Sequence, residues 1–213
     1  MKKLKILTVV GTRPEIIRLS KVIKKLDKHT NNIFVHTGQN YDYELNGIFY
    51  RELGLKLPHY QLSDPKKGPT NSISNILIEI EKIILKENPD GFLILGDTNS
   101  CLSAYVAKRF KIPIFHIEAG NRSYDQKVPE EINRKIIDHI SDINITYSKR
   151  AKENLIRENI DPDKCNKNKD YDMRSVFIEK NPNQYLDYEL DKNKVFLHYK
   201  DETSGTVKTY KDY

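Results

Sequence analysis

The chain is expected to fold as a doubly wound α/β domain on a parallel sheet, and three observations carry that expectation. Short apolar runs alternate with longer segments whose apolar residues recur at helical spacing. The runs are apolar along their whole length, as strands covered on both faces require. Four of them end in a polar cluster, which places those clusters along one carboxyl-end rim, where such sheets bind ligands.

Ile6 to Val10 is the first strand. Gly11 breaks it, and Pro14 stands where a helix begins, a position that suits its fixed φ and missing N–H. The helix is expected from about Glu15 to Leu26, with Ile16, Ile17, Leu19, Val22, Ile23 and Leu26 giving it an apolar side. Strand, glycine turn and helix start together make an anion-binding element, because the first turn's N–H groups have no internal partners. Arg13 and Arg18 add positive charge; a plain strand–helix turn with surface arginines is the competing reading.

Asn32 to Val35 is a second strand, ending in His36-Thr37-Gly38-Gln39-Asn40-Tyr41-Asp42. A helix over about Glu44 to Leu53 follows. Gly54 to Thr70, rich in Pro and Gly beside Lys66-Lys67, reads as a mobile loop. Ser72 is the expected cap of a helix with Ile73, Ile76, Leu77, Ile80, Ile83 and Ile84 on one face, ended by Pro89.

Gly91 to Leu95 is a continuous apolar strand, followed by Gly96-Asp97-Thr98-Asn99-Ser100 and a helix to about Arg109. Ile112 to Phe115 is the next strand, and His116 to Ser123 is the loop at its end. Pro129-Glu130-Glu131 opens another helix, its acids facing the positive helix end. Ile143 to Ile145 is a last strand. Ser148 caps a helix to about Asn159, closed by Ile160-Asp161-Pro162.

The 213 residues suffice for one ample domain or slightly more. No apolar run approaches the roughly 20 residues that span a bilayer, so no membrane partner is expected. Met1 to Val10 faintly imitates a signal peptide, but its apolar core is too short and Gly11 to Glu15 is no cleavage site. Cys101 and Cys165 form neither a disulfide framework nor a metal cluster, which fits a reducing cytoplasm. The net charge is +6. Lysines are scattered and often paired with acids, as in Glu79-Ile80-Glu81-Lys82, so a solvated surface is expected rather than nucleic-acid binding. Basic and acidic residues balance within 166–213, so the excess lies in 1–165, where it also suits an anionic small molecule.

The rim would hold Arg13, Arg18, His36, Asp97, His116, Glu118 and Arg122, with Glu130 and Glu131 from the following helix. Arginines and helix N-termini suit phosphate. Carboxylates beside basic groups suit acid–base work. There is no serine elbow, Walker loop or Gly-x-Gly-x-x-Gly. His36 and His116 lack metal-ligand spacing and read as substrate-contacting or supporting histidines, so neither a metal nor a cofactor is expected. Cys101 reads as packing. Asp97 is a helix N-cap, a functional carboxylate, or both.

Five motifs carry a resemblance: Gly11-Thr12-Arg13-Pro14-Glu15, His36-Thr37-Gly38-Gln39, Gly96-Asp97-Thr98, His116-Ile117-Glu118-Ala119-Gly120 and Pro129-Glu130-Glu131-Ile132-Asn133-Arg134. In order and spacing they resemble the non-hydrolysing UDP-N-acetylglucosamine 2-epimerase family, over residues 1 to about 165. Asn121 to Pro129 and Asp138 to Asn144 look more like the branch that makes UDP-N-acetyl-L-fucosamine. The resemblance implies a Rossmann-like domain forming the N-terminal half of a two-domain, GT-B-like architecture with its active site between the halves.

It also implies an isomerase acting on a UDP-N-acetylhexosamine in capsule or O-antigen pathways. UDP leaves C1 as the C2 proton is removed, then adds back with the proton on the other face. The product would be UDP-N-acetyl-L-fucosamine or UDP-N-acetylmannosamine. By that resemblance Asp97, Glu118 and Glu130 are the acid–base carboxylates, with Glu131 close enough to exchange roles with Glu130. Arg13 and Arg18 face the diphosphate; His36, Gln39, His116 and Arg122 belong to the substrate-binding set. A homodimer through the first domain is implied as well.

Residues 166–213 match nothing in the family's second half. Two weak strands, Ser175 to Ile178 and Val195 to Tyr199, are expected in an otherwise polar, poorly ordered tail. With half a cleft, this polypeptide alone is expected to turn over little or no UDP-sugar. A non-catalytic, UDP-sugar-binding remnant is the competing reading.

Overall fold

The computed structural model describes residues 3–38, 50–63 and 68–165, with the backbone of residues 187–191, 194–200 and 207–211. The chain divides into two compact units, Met1–Lys167 and Asn168–Tyr213.

In the first unit β1 (Lys5–Val10), α1 (Arg13–His29), β2 (Asn31–His36) and β3 (Tyr60–Gln61) come first. Then follow α2 (Pro69–Glu87), β4 (Gly91–Leu95), α3 (Ser103–Arg109), β5 (Ile114–Ile117), α4 (Pro129–Ile140), β6 (Ile143–Ile145) and α5 (Lys149–Arg157). The strands form one sheet in the order β3-β2-β1-β4-β5-β6. Every pairing in it is parallel. The order reverses between β1 and β4, so the crevice beyond their carboxyl ends is the topological switch point.

Alternate residues of each strand supply opposite cores. Leu7, Val9, Ile33, Val35, Phe92, Ile94 and Ile114 pack with Ile76, Ile80, Ile83 and Ile84 of α2, with Ala104 and Ala107 of α3, and with Ile137 of α4. Val10, Phe34, Leu93, Leu95 and Ile117 pack on the other face with Ile16, Leu19 and Ile23 of α1. Each Val, Leu, Ile or Phe side chain among them contributes about 1.5–3 kcal/mol relative to exposure. Among the described residues no helix is long and apolar enough to cross a membrane.

The structure moves several expected boundaries. The Ile112 N–H donates to the Ala107 carbonyl and closes the turn after α3, and Pro113 has no N–H to offer a ladder. Pairing with β4 therefore starts at Ile114 and runs to Ile117. His116 is a strand residue, and the loop begins at Glu118. Within the expected loop Gly54 to Thr70, β3 pairs with the end of β2. Its Tyr60 hydroxyl donates to Glu87 at 2.5 Å. Gly68, at φ 100°, precedes Pro69 at the start of α2, so Ser72 lies one turn inside the helix rather than at its cap. The helix expected over Glu44 to Leu53 falls mostly outside the described residues.

In the second unit β7 (Asp187–Asp191), β8 (Lys194–Lys200) and β9 (Val207–Lys211) form an antiparallel sheet in that order. The expected strand Val195 to Tyr199 falls within β8. The strands β7 and β9 correct the expectation of an irregular tail: Tyr188 and Leu190 alternate with acids at period two, a pattern masked by the low hydrophobicity. Ser175 to Ile178 lies outside the described residues.

Candidate active site

One buried carboxylate ties the two loops at the switch point. Glu15, in the first turn of α1, accepts from the Gly11 N–H at 2.6 Å and the Thr12 hydroxyl at 3.1 Å. It also accepts from the hydroxyls of Thr98 at 2.6 Å and Ser100 at 3.3 Å, beyond β4. Burial raises its pKa above the ordinary carboxylate value, and these four donors act the other way. Gly11 is required at this junction: a Cβ there would lie 2.8 Å from the Thr37 hydroxyl and 3.0 Å from Ser100 Cβ. Thr12 and Glu15 stand at capping-box spacing, the sequence signal that could have found this contact.

Beside that junction, Arg134 of α4 joins two carboxylates. Its Nη2 pairs with Asp97 Oδ2 and lies 3.7 Å from Glu118 Oε1. Its Nη1 donates to the Glu118 backbone carbonyl. Glu118 Oε2 pairs with Arg18 Nη1, and Asn121 Nδ2 donates to Oε1 at 3.4 Å. Asp97 is not an N-cap; that position falls to Thr98, and the Asp97 carbonyl accepts from Asn133 Nδ2 at 3.0 Å. Glu118 has φ 70°, a left-handed conformation that costs an L-residue roughly 1–3 kcal/mol and that surrounding structure must hold. Tyr147 stands near by: burial, then the charge of Glu118, pushes its phenol up to about 12, so it is neutral at pH 7.

The loop after Glu118 is anchored from beneath. Asp138 of α4 is fully buried. It accepts from the Gly120 N–H at 3.2 Å and from Arg122 Nη1 at 2.7 Å. His116 Nδ1 lies 2.8 Å from Asp138 Oδ1 but off the line of a hydrogen bond, and its Nε2 faces the Gly96 carbonyl at 2.9 Å. Arg122 also donates to both oxygens of Glu158 and to the Asn121 carbonyl. Burial opposes the guanidinium's charge, but Glu158 and Asp138 outweigh it and raise its pKa above the ordinary value. Arg122 and His116 were expected to contact substrate. The Arg122 side chain is 1% exposed and His116 0%, so both are placed behind the loop rather than in the crevice.

The other expected residues divide in the same way. His36 is 1% exposed; its Nδ1 accepts from the Gly38 N–H at 3.0 Å, and burial pushes the imidazole down to about 4. It shapes the turn after β2 as a neutral ring. Glu131 turns back onto Ser123, accepting from its N–H at 2.8 Å and its hydroxyl at 3.2 Å. Burial acts against that charge, yet the Ser123 contacts and Lys135 hold the carboxyl below its usual value. Glu130 is exposed on the first turn of α4, Arg13 is half-buried and Arg18 is exposed. Gln39 lies outside the described residues. Sequence reasoning overlooked Arg134 and Asp138, although charged residues beside Ile137 on an amphipathic helix's inward stripe are the signal of a buried polar site.

A doubly wound domain whose switch-point rim sets carboxylates against arginines matches the N-terminal half of a GT-B-like architecture. The chain belongs to the UDP-N-acetylglucosamine 2-epimerase family, whose model matches residues 24–167. It is similar to a UDP-N-acetylglucosamine 2-epimerase from Rickettsia bellii at 54% identity and a TM-score of 0.72, over 76% of this chain and 44% of that one. The Methanocaldococcus jannaschii UDP-GlcNAc 2-epimerase, solved in complex with UDP-GlcNAc and UDP, shares 43% identity at a TM-score of 0.71, over 76% and 45%. The Pseudomonas aeruginosa UDP-2,3-diacetamido-2,3-dideoxy-D-glucuronate 2-epimerase is 42% identical over 158 residues, which are 73% of this chain and 45% of its own. The chain therefore spans less than half the length of these relatives.

Proposed function

We propose that this chain supplies the carboxylate-bearing wall of a non-hydrolysing UDP-N-acetylhexosamine 2-epimerase. The observation that carries this is the meeting of Asp97 and Glu118 on Arg134 at the switch point. The reaction needs a base at C2, an acid on the opposite face and stabilisation of the departing diphosphate. Asp97 and Glu118 are the first two acid–base groups. Glu131 is committed to Ser123, which leaves the exposed Glu130 as the third. Arg13 and Arg18 face the diphosphate beside the start of α1.

Asn121 touches Glu118 and stands in the segment that resembles the L-fucosamine branch. It favours a 6-deoxy-L precursor and a UDP-N-acetyl-L-fucosamine product; UDP-N-acetylmannosamine is the second reading, favoured by the relatives' names. Both cysteines are buried free thiols, in keeping with a reducing cytoplasm. A homodimer through this unit belongs to the same reading. A single wall leaves the exposed Glu130 and the open side of the crevice to water, where charges act weakly, so the 213-residue chain alone is expected to be nearly inactive.

The test completes the cleft. Residues 1–165 are fused to the second half of the Methanocaldococcus jannaschii enzyme, and each UDP-sugar is followed by proton NMR in deuterated water. The expected result is C2 inversion with deuterium entering at C2, reduced about 100-fold or more by Asp97→Asn. A folded fusion that exchanges no C2 proton would remove the epimerase reading. Rapid turnover by the 213-residue chain would remove the requirement for a second wall.

A further inference from the structure

We propose that Arg18 is a shared cation for which Glu118 and a bound diphosphate compete, so that the anion's arrival releases the carboxylate. The proposal rests on the epimerase reading only for the identity of the anion. Arg18 stands in the second turn of α1, beyond the Gly11–Arg13 turn. Its side chain is 53% exposed, whereas that of its partner Glu118 is 11% exposed. An anion approaching the start of α1 thus meets a guanidinium whose Nη1 is already held by a buried carboxylate. The two acceptors need the same donor, and a diphosphate suits the guanidinium's fork at least as well as a single carboxylate oxygen.

Release does not strand Glu118. Arg134 remains 3.7 Å from Oε1, and Asn121 Nδ2 remains at 3.4 Å. The carboxylate passes from two guanidinium neighbours to one. Access to the Glu118 carboxylate is thereby linked to the presence of the leaving group: without a diphosphate on Arg18, Oε2 stays masked by the guanidinium. Among the described residues the charged groups facing Glu118 are Arg18 from α1 and Arg134 from α4, and the phenol of Tyr147 near by is neutral at pH 7.

The pairing makes a prediction of unusual sign, testable on the chain as it exists. Titration calorimetry is run with inorganic pyrophosphate and with UDP. Glu118→Gln removes the competitor and is expected to tighten both anions about two- to fivefold, the range that a half-exposed pair supports. Arg18→Gln weakens them, and in that background Glu118→Gln changes nothing further. Glu118→Asp, whose carboxylate is one methylene shorter, tightens them as well and covers the case in which the amide variant misfolds. Equal tightening in both backgrounds would mean mere removal of a negative charge, and the proposal falls. It falls too if Glu118→Gln leaves affinity unchanged, or if neither anion binds any variant. Should the cycle hold for pyrophosphate while UDP binds no tighter, the shared cation stands and the nucleotide reading fails.

Discussion

Arg122 shows how a single residue's burial decides its role. A guanidinium that gives four of its five N–H donors to Glu158, Asp138 and the Asn121 carbonyl, with 1% of its side chain exposed, is buried away from a ligand in the crevice. Lysine there keeps the charge but loses the fork. Arg122→Lys is therefore expected to lower stability by about 2 kcal/mol or more, read from urea unfolding. UDP affinity per folded molecule should stay within about twofold; a large loss of affinity at unchanged stability would return Arg122 to the crevice. Gly120 poses a backbone version of the same question. It has φ 77°, and a Cβ there would sit 2.2 Å from the Ala151 carbonyl oxygen. Gly120→Ala combines left-handed strain with a backbone clash, and the cost is expected to reach about 3 kcal/mol or more. A melting temperature within a degree of wild type would refute that.

At the scale of elements, α4 and α5 hold the β5 loop from two sides. The first contributes Glu131, Arg134 and Asp138; the second receives Gly120 against Ala151 and donates from Asn154 Nδ2 to the Gly120 carbonyl at 2.9 Å. The start of α5 is fixed by Ser148, whose hydroxyl oxygen accepts from the Ala151 N–H at 3.1 Å. Ser148→Ala should cost about 1 kcal/mol and loosen the Gly120 contact, seen as faster amide exchange at Gly120 and Ala151. Sequence pattern located β4 and β6 to the residue because turn residues or polar clusters bound each apolar run. It misplaced β5 because Ile112 is apolar yet belongs to a turn, and Pro113 cannot enter a ladder. It missed β3 because two residues carry no period. The convergence of loops was legible: Glu15 does join the turns after β1 and β4. The depth of each side chain was not, because His36, His116 and Arg122 read as rim residues until packing shows which side they face.

For the first unit as a whole, buried ionisable groups set how stability depends on pH. The His36 imidazole titrates near 4 when folded, against 6.5 when free. Between those values the unfolded chain holds a proton that the folded one lacks, so this contribution rises with pH and is lost as pH falls from 6.5 to about 4. It amounts to roughly 3 kcal/mol. Glu131, held below its ordinary value, acts in the same direction at lower pH: its contribution is complete above 4.5 and is lost as pH falls through its folded value. Glu15 acts oppositely. Its folded pKa is raised, so its contribution is complete below 4.5 and is lost as pH rises through the folded value. The expected profile climbs from pH 4 to about 6.5, with part of the gain offset by Glu15. His36→Gln leaves the Gly38 N–H an acceptor but removes the titrating ring. It should flatten the climb by about 1.4 kcal/mol per pH unit within that window, measured by urea unfolding at half-unit steps. A climb between pH 4.5 and 6.5 that is unchanged in His36→Gln would remove His36 as its source, because Glu131 titrates only below that window and Glu131→Gln is expected to alter the profile only beneath pH 4.5.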